Sequence, residues 1–164
     1  MKPLSERLGD VPQIGAVTWI GVRPTHGGEL RVLEEVAALE GRGLSGDVAA
    51  NAKVGGNRQV TLLQAEHLPV VSALSGAHVE PQLLRRNLLV SGINLLALNK
   101  LEFRIGSDVI LLGTGACAPC SKMDEALGAG GFQAMRGHGG ITAKVVRGGL
   151  IRLGDRVWVA ARVV

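Results

Sequence analysis

The apolar positions of the chain fall in short runs broken by glycine, and few of these runs sustain a helical period. "IGAVTWIGVRP", Ile14 to Pro24, sets Val17, Trp19 and Ile20 among small residues and predicts a strand. Thr25-His26-Gly27-Gly28 reads as a tight connection. The run after it, "LRVLEEVAALEG", carries helix-forming Glu and Ala. Its valines and flanking glycines favour a strand returning along the first. Gly41 to Gln59 is polar and glycine-rich and predicts a loop. A strand follows at Val60 to Leu63, then a helix from near Gln64 that must accommodate Pro69.

"VEPQLLRRN" predicts one helical turn, and "NLLVSG" a further strand. "LEFRIGSDVILLGTG" predicts two strands about a turn at Gly106-Ser107-Asp108. A short helix is expected from Ser121 to Leu127, and "GAGGFQAMRGHGG" reads as a flexible loop. The end of the chain, through Val164, alternates strands with Gly-Gly and Gly-Asp turns. The sum is one domain over residues 1–164, mostly β, a barrel with two or three short helices.

Composition sharpens this in two ways. Aromatic residues make up 2% of the chain and tyrosine is absent, so Leu, Val, Ile and Ala must build the core. The net charge of +4 is spread along the sequence, without a Lys/Arg block or interleaved aromatics. Nucleic acid is therefore an unsupported partner, and a small anionic ligand suits the charge as well. The polar N-terminal stretch lacks the apolar core of a signal peptide, and no apolar run approaches membrane-spanning length. A cytoplasmic protein with reduced thiols is expected.

Three stretches carry candidate chemistry. Cys117 and Cys120, in "GACAPCSKMDEAL", are the chain's two cysteines. The spacing allows a redox pair, part of a zinc site, two inert buried thiols, or one working thiolate. Cys120 stands at the expected helix start, near Lys122, where backbone N–H groups favour a thiolate; Cys117 lies in the loop before it. Arg85, Arg86 and Asn87 precede a strand and offer forked donors and an amide to a phosphate or carboxylate, unless they are simply solvated. The glycine-rich stretch around Asp47 and Arg58 could approach an anion through its backbone, although it matches no nucleotide-binding fingerprint and reads equally as a surface loop.

Taken in order, "GLSGD", "RQVTLLQAEHL", "LLRRNLLVSGINLLALN", "APCSKM" and "GGLIRLGDRV" resemble the MOSC domain, named for the C-terminal domain of molybdenum-cofactor sulfurases. The resemblance is strongest over residues 43–157 and suggests a stand-alone bacterial-type member. It implies a barrel-like β fold and the molybdenum cofactor (molybdopterin) as ligand. Cys120 matches the family's hallmark cysteine, the metal's thiolate ligand in molybdenum-bearing members. Arg85 and Asn87, with Arg86 between them, match a segment that helps hold the pterin. Gly46-Asp47 and Arg58 also match family positions, and Cys117 has no counterpart.

The family offers a molybdenum-dependent reductase component acting on N-hydroxylated compounds. It also offers a sulfur carrier with a persulfide on Cys120 for metal–sulfur cofactor assembly. A metal-free binding module is the third reading. The chain carries no aminotransferase-like desulfurase region with a pyridoxal phosphate site, and no flavin or iron–sulfur module. A separate electron-transfer or sulfur-donor protein would be its partner. The glycine-dense segment would then close over the cleft, with Arg136 and His138 as candidate substrate contacts.

Overall fold

The computed structural model describes residues 1–160. Its centre is a closed barrel of seven strands: β1 (Gly15–Val22), β5 (Val60–Gln64), β6 (Leu88–Ser91), β7 (Glu102–Ile105), β8 (Val109–Ala116), β9 (Ile141–Arg147) and β11 (Arg156–Trp158). Neighbours run β11-β7-β8-β9-β5-β6-β1, and β1 pairs back onto β11 through Gly15 and Ala16. Closure leaves the barrel no free edge among these strands. β2 (Arg31–Leu33) returns antiparallel along the end of β1, pairing Ile20 with Leu33 and Val22 with Arg31. The hairpin read at Thr25 to Gly28 is therefore present.

The ambiguous run after it is strand throughout, divided between two sheets. β3 (Glu35–Leu39) leaves the barrel and joins β4 (Gly43–Leu44) and β10 (Gly149–Arg152) in a small three-stranded sheet. The loop expected over residues 41–59 thus contains β4, and also a 3₁₀ turn at Val48–Asn51.

β5 and β6 are the parallel pair of the barrel, which requires a crossover connection. α2 (His67–Ser75) supplies it, with a 3₁₀ turn at Pro81–Leu84. Pro69 falls at the third residue of α2, inside the first turn, where its missing N–H breaks no helical bond. Side chains alternate across a strand, so Leu62, Leu88 and Val90 face the barrel interior with Phe103, Leu111 and Ile141. Leu63 and Leu89 point outward into a second apolar cluster with Val71, Leu84, Met123, Leu127 and Met135. Burial on both faces explains why "TLL" and "NLLV" read as unbroken apolar runs.

The second cluster belongs to a helical layer made by α2, α3 (Lys122–Leu127) and α4 (Gly131–Met135). Here the sequence expectation needs correcting. The glycine-dense segment is not simply a loop: Ala134 and Met135 anchor α4 in this cluster, and apolar burial outweighs the poor helix propensity of its glycines. α1 (Leu4–Leu8), in the polar N-terminal stretch, buries no residue. Residues 161–164 of the expected last strand run lie outside the described residues. Among the described residues no helix is long and apolar enough to cross a membrane.

Candidate functional site

The end of β1, the loop before β5 and the start of β6 meet around a cavity of about 180 Å³. Arg23, Arg58, Arg85 and Arg86 line it with His26, and among the described residues Asp47 is the one carboxylate there. Thr61 and Asn87 also line it.

Asn87 is buried, and its polar atoms are already engaged. Its side-chain oxygen accepts from Thr61 N (3.0 Å) and Thr61 Oγ1 (3.1 Å). Its amide nitrogen donates to Gly21 O (3.1 Å) and Asp47 Oδ1 (3.2 Å). Asp47 is equally committed: Oδ1 also accepts from Arg23 N (2.8 Å), and Oδ2 caps the 3₁₀ turn through Ala49 N (3.1 Å). Gln59, buried beside them, ties Gly41 O, Gly56 O and Val145 N together. These side chains knot β1, β5, β6 and the glycine-rich loop into one frame.

The arginines differ. Arg86 is 7% exposed. Its Nε donates to Gly139 O (2.9 Å) and its Nη1 to Leu84 O (2.9 Å), while Nη2 is buried without a partner. Burial lowers its pKa from the ordinary guanidinium value; Cys117 and Cys120 oppose that shift, and Arg58 and Arg85 add to it. Arg85 closes the 3₁₀ turn in the left-handed region (φ 58°, ψ 33°), unusual for a side chain of its size. This kink separates two consecutive arginines at the start of β6. Burial and Arg85 both lower the Arg23 pKa, with Asp47 opposing. An arginine stays charged in either case, so the wall gathers cations that only an anion can offset.

Both cysteines are free, and their surroundings differ. Cys117 continues from β8, is buried, and has Arg58 Nη2 3.9 Å from its sulfur. Cys120 is exposed, one residue before the Ser121 N-cap of α3. Arg58 and Arg86 line the cavity and also neighbour the thiols, so they join the two halves of the site. Among the described residues no three His, Cys, Asp or Glu side chains are grouped to hold a metal, so the zinc reading of the cysteine spacing has no ligand set.

The comparisons agree with this architecture. The family model described as the MOSC domain matches residues 23–158. The chain belongs to the MOSC domain family. As a MOSC domain it superposes on the crystal structure of the YUAD protein from Bacillus subtilis with a TM-score of 0.75. The identity there is 19%, over 90% of this chain and 97% of that one. The YiiM structure from Geobacillus stearothermophilus gives a TM-score of 0.67 at 16% identity, over 90% of this chain and 76% of that one. YiiM from Escherichia coli gives 0.66 at 18% identity, over 90% and 71%. At these identities the likeness is one of fold. No curated protein matches the sequence.

The structure places the candidate residues Asp47, Arg58, Arg85, Arg86 and Asn87 around one cavity, with Cys120 on the neighbouring segment. It does not bring Arg136 or His138 there. Arg136 is exposed and donates to Gln133 Oε1 (3.1 Å). The His138 ring packs on His67 at the edge of a separate depression. Sequence reasoning passed over Arg23 and His26, which follow β1 into the connection to β2, and no spacing in the chain announces their place at the cavity. Cys117, left without a role by the sequence, neighbours Arg58.

Proposed function

We propose that this MOSC domain binds the molybdenum cofactor, with Cys120 as thiolate ligand to the metal and the arginine cavity as seat of the cofactor's phosphate. The observation that carries the reading is the Nη2 of Arg86, a buried cationic donor without a partner. A buried guanidinium donor left unmatched is costly, and a phosphate oxygen is the acceptor it suits. Arg58 and Arg85 would share the charge, and the volume of about 180 Å³ fits a compact anionic group. The exposed thiol of Cys120 supplies the soft donor that molybdenum favours.

When bound, the cofactor would supply a redox-active metal able to reduce a substrate such as an N-hydroxylated compound, with electrons from a separate donor protein. The chain's own part is electrostatic. The four guanidinium groups would hold the anionic end, the Asp47–Asn87 frame ties together the backbone segments that carry Arg23 and Arg86, and Cys120 stands exposed on the neighbouring segment.

Protein expressed in a host that makes the cofactor should carry about one molybdenum per chain by elemental analysis. Cys120→Ser and Arg86→Met should each remove it, and Cys117→Ser should not. Metal content unchanged by both would overturn the reading.

A second reading is favoured by the exposure of Cys120. The Cys120 thiolate, open to solvent, would attack the outer sulfur of a persulfide carried by a donor protein, forming the new S–S bond as the donor's own S–S bond breaks and its thiolate leaves. Mass spectrometry would then find an adduct of about 32 Da on Cys120 and no molybdenum. Neither signal would leave the metal-free binding module.

A further inference from the structure

His67 and His138 sit outside the cavity. His67 opens α2 and is partly buried, and His138 follows α4. Their rings meet edge to face, centroids 5.1 Å apart at 79°. His138 Nδ1 lies 3.0 Å from Ala134 O and must donate to it. His67 Nδ1 is buried with no partner. In a neutral imidazole that atom can be a bare lone pair, but in an imidazolium it becomes an N–H with nothing to accept it. The contact is therefore built for a neutral His67 ring. Burial first and His138 second disfavour its protonation, and Glu66 favours it. The Glu66 carboxylate is held by Gln64 Nε2 (2.7 Å) and Gly92 N (3.2 Å).

The residues after His138 clasp the functional site. Gly139 O accepts from Arg86 Nε (2.9 Å), and Gly140 O accepts from Cys117 N (2.9 Å). The fit is close: a Cβ at Gly139 would overlap the Cys117 carbonyl and lie 3.3 Å from Arg86 Nη2. Whatever moves His138 moves two of the groups that hold Arg86 and Cys117 in place.

We propose that the His67–His138 contact is a pH-sensitive latch on the anion site, closed while the His67 ring is neutral and released when it takes up a proton. An imidazolium at His67 would bury an N–H with no acceptor, packed against the His138 ring. Residues 137–140 then lift from α2, and Arg86 loses the carbonyl that aims it. The link from latch to ligand rests on the anion-binding reading above; the latch itself does not.

Two measurements separate these. Hydrogen exchange of the Cys117 amide, corrected for its intrinsic pH dependence, reads the latch without any ligand. Its protection should fall about fivefold between pH 7.5 and pH 5.5, because the open form takes up the His67 proton more readily than the closed one. The fall should vanish in His138→Gln, or in His67→Gln should the first variant fail to fold. Equal protection at both pH values, or a fall that survives both variants, would overturn the latch.

Inorganic sulfate, which does not titrate in this range, then reads the coupling. Titration calorimetry first gives its Kd at both pH values. At about ten times that Kd, sulfate should raise the Cys117 amide protection at pH 5.5 about tenfold, because only the closed form binds it. Protection unchanged by bound sulfate would overturn the coupling. Failure to bind at either pH would count against the anion cavity and leave the latch standing on the exchange result.

Discussion

Asn87 and Arg86 are consecutive residues lining one cavity, and the structure uses them in opposite ways. Around Asn87 the polar groups answer one another: Thr61, Gly21 and Asp47 occupy its donors and acceptor, and Asp47 passes the connection to Arg23 and Ala49. Around Arg86 one donor is left over, with Arg58 and Arg85 adding charge beside it. The first region is closed on itself and the second is incomplete. An Arg-Asn motif that looks like two equivalent residues is therefore one saturated frame residue and one residue with a buried donor to spare.

The sharpest way to break that comparison is Asn87→Ala. It strands the Thr61 N–H and half-empties Asp47 inside the protein. Each buried polar group left unmatched costs about 1–3 kcal/mol. Loss of about 3 kcal/mol or more is expected in urea unfolding, with no sulfate binding as a consequence. A fully stable Asn87→Ala protein would show that the frame lies elsewhere. Gly139→Ala should come next, at about 1–3 kcal/mol, because its methyl meets the rigid Cys117 backbone.

Arg86→Met tests the other side. It unpairs Gly139 O and Leu84 O but also removes a buried charge with an idle donor. These effects oppose, so a stability change within about 1 kcal/mol is expected, with sulfate affinity down roughly a hundredfold, about 2.7 kcal/mol for a charge-assisted contact. Should Arg86→Met unfold as readily as Asn87→Ala, the two residues are one structural unit and the distinction fails.

How much of this was legible in the chain follows the same division. The barrel strands were readable because alternation and double burial leave apolar runs of strand length, as in Leu88 to Val90. α4 was not, because its glycines argue against a helix, and only packing of Met135 against Leu63 and Leu84 reverses that. The cavity residues Asp47, Arg58, Arg85, Arg86 and Asn87 were singled out through their residue types and a family resemblance. Neither source says which are saturated. That depends on Thr61, Gly21, Leu84 and Gly139, whose backbone atoms meet these side chains only after the barrel closes.

Arg85 offers a finer test, since its contribution is divided between backbone and charge. Its left-handed conformation disfavours any residue with a Cβ by about 1 kcal/mol, and glycine relieves that strain while adding freedom to the unfolded chain. Arg85→Gly should therefore leave the urea midpoint nearly unchanged. Sulfate affinity should still drop, by about tenfold for one half-buried guanidinium lost from the wall.

The smallest effect expected is in the dependence of stability on pH. The folded state lowers the His67 pKa, by burial first and His138 second. The unfolded chain then binds the proton more readily, so the contribution is fully present above the unfolded value near 6.5 and is lost as pH falls toward the lowered folded value. His67→Gln should flatten the urea midpoint over that window without moving it at pH 8. Such a flattening would place a titrating weak point in the helical layer rather than in the frame around Asn87, where no histidine takes part in the hydrogen bonds.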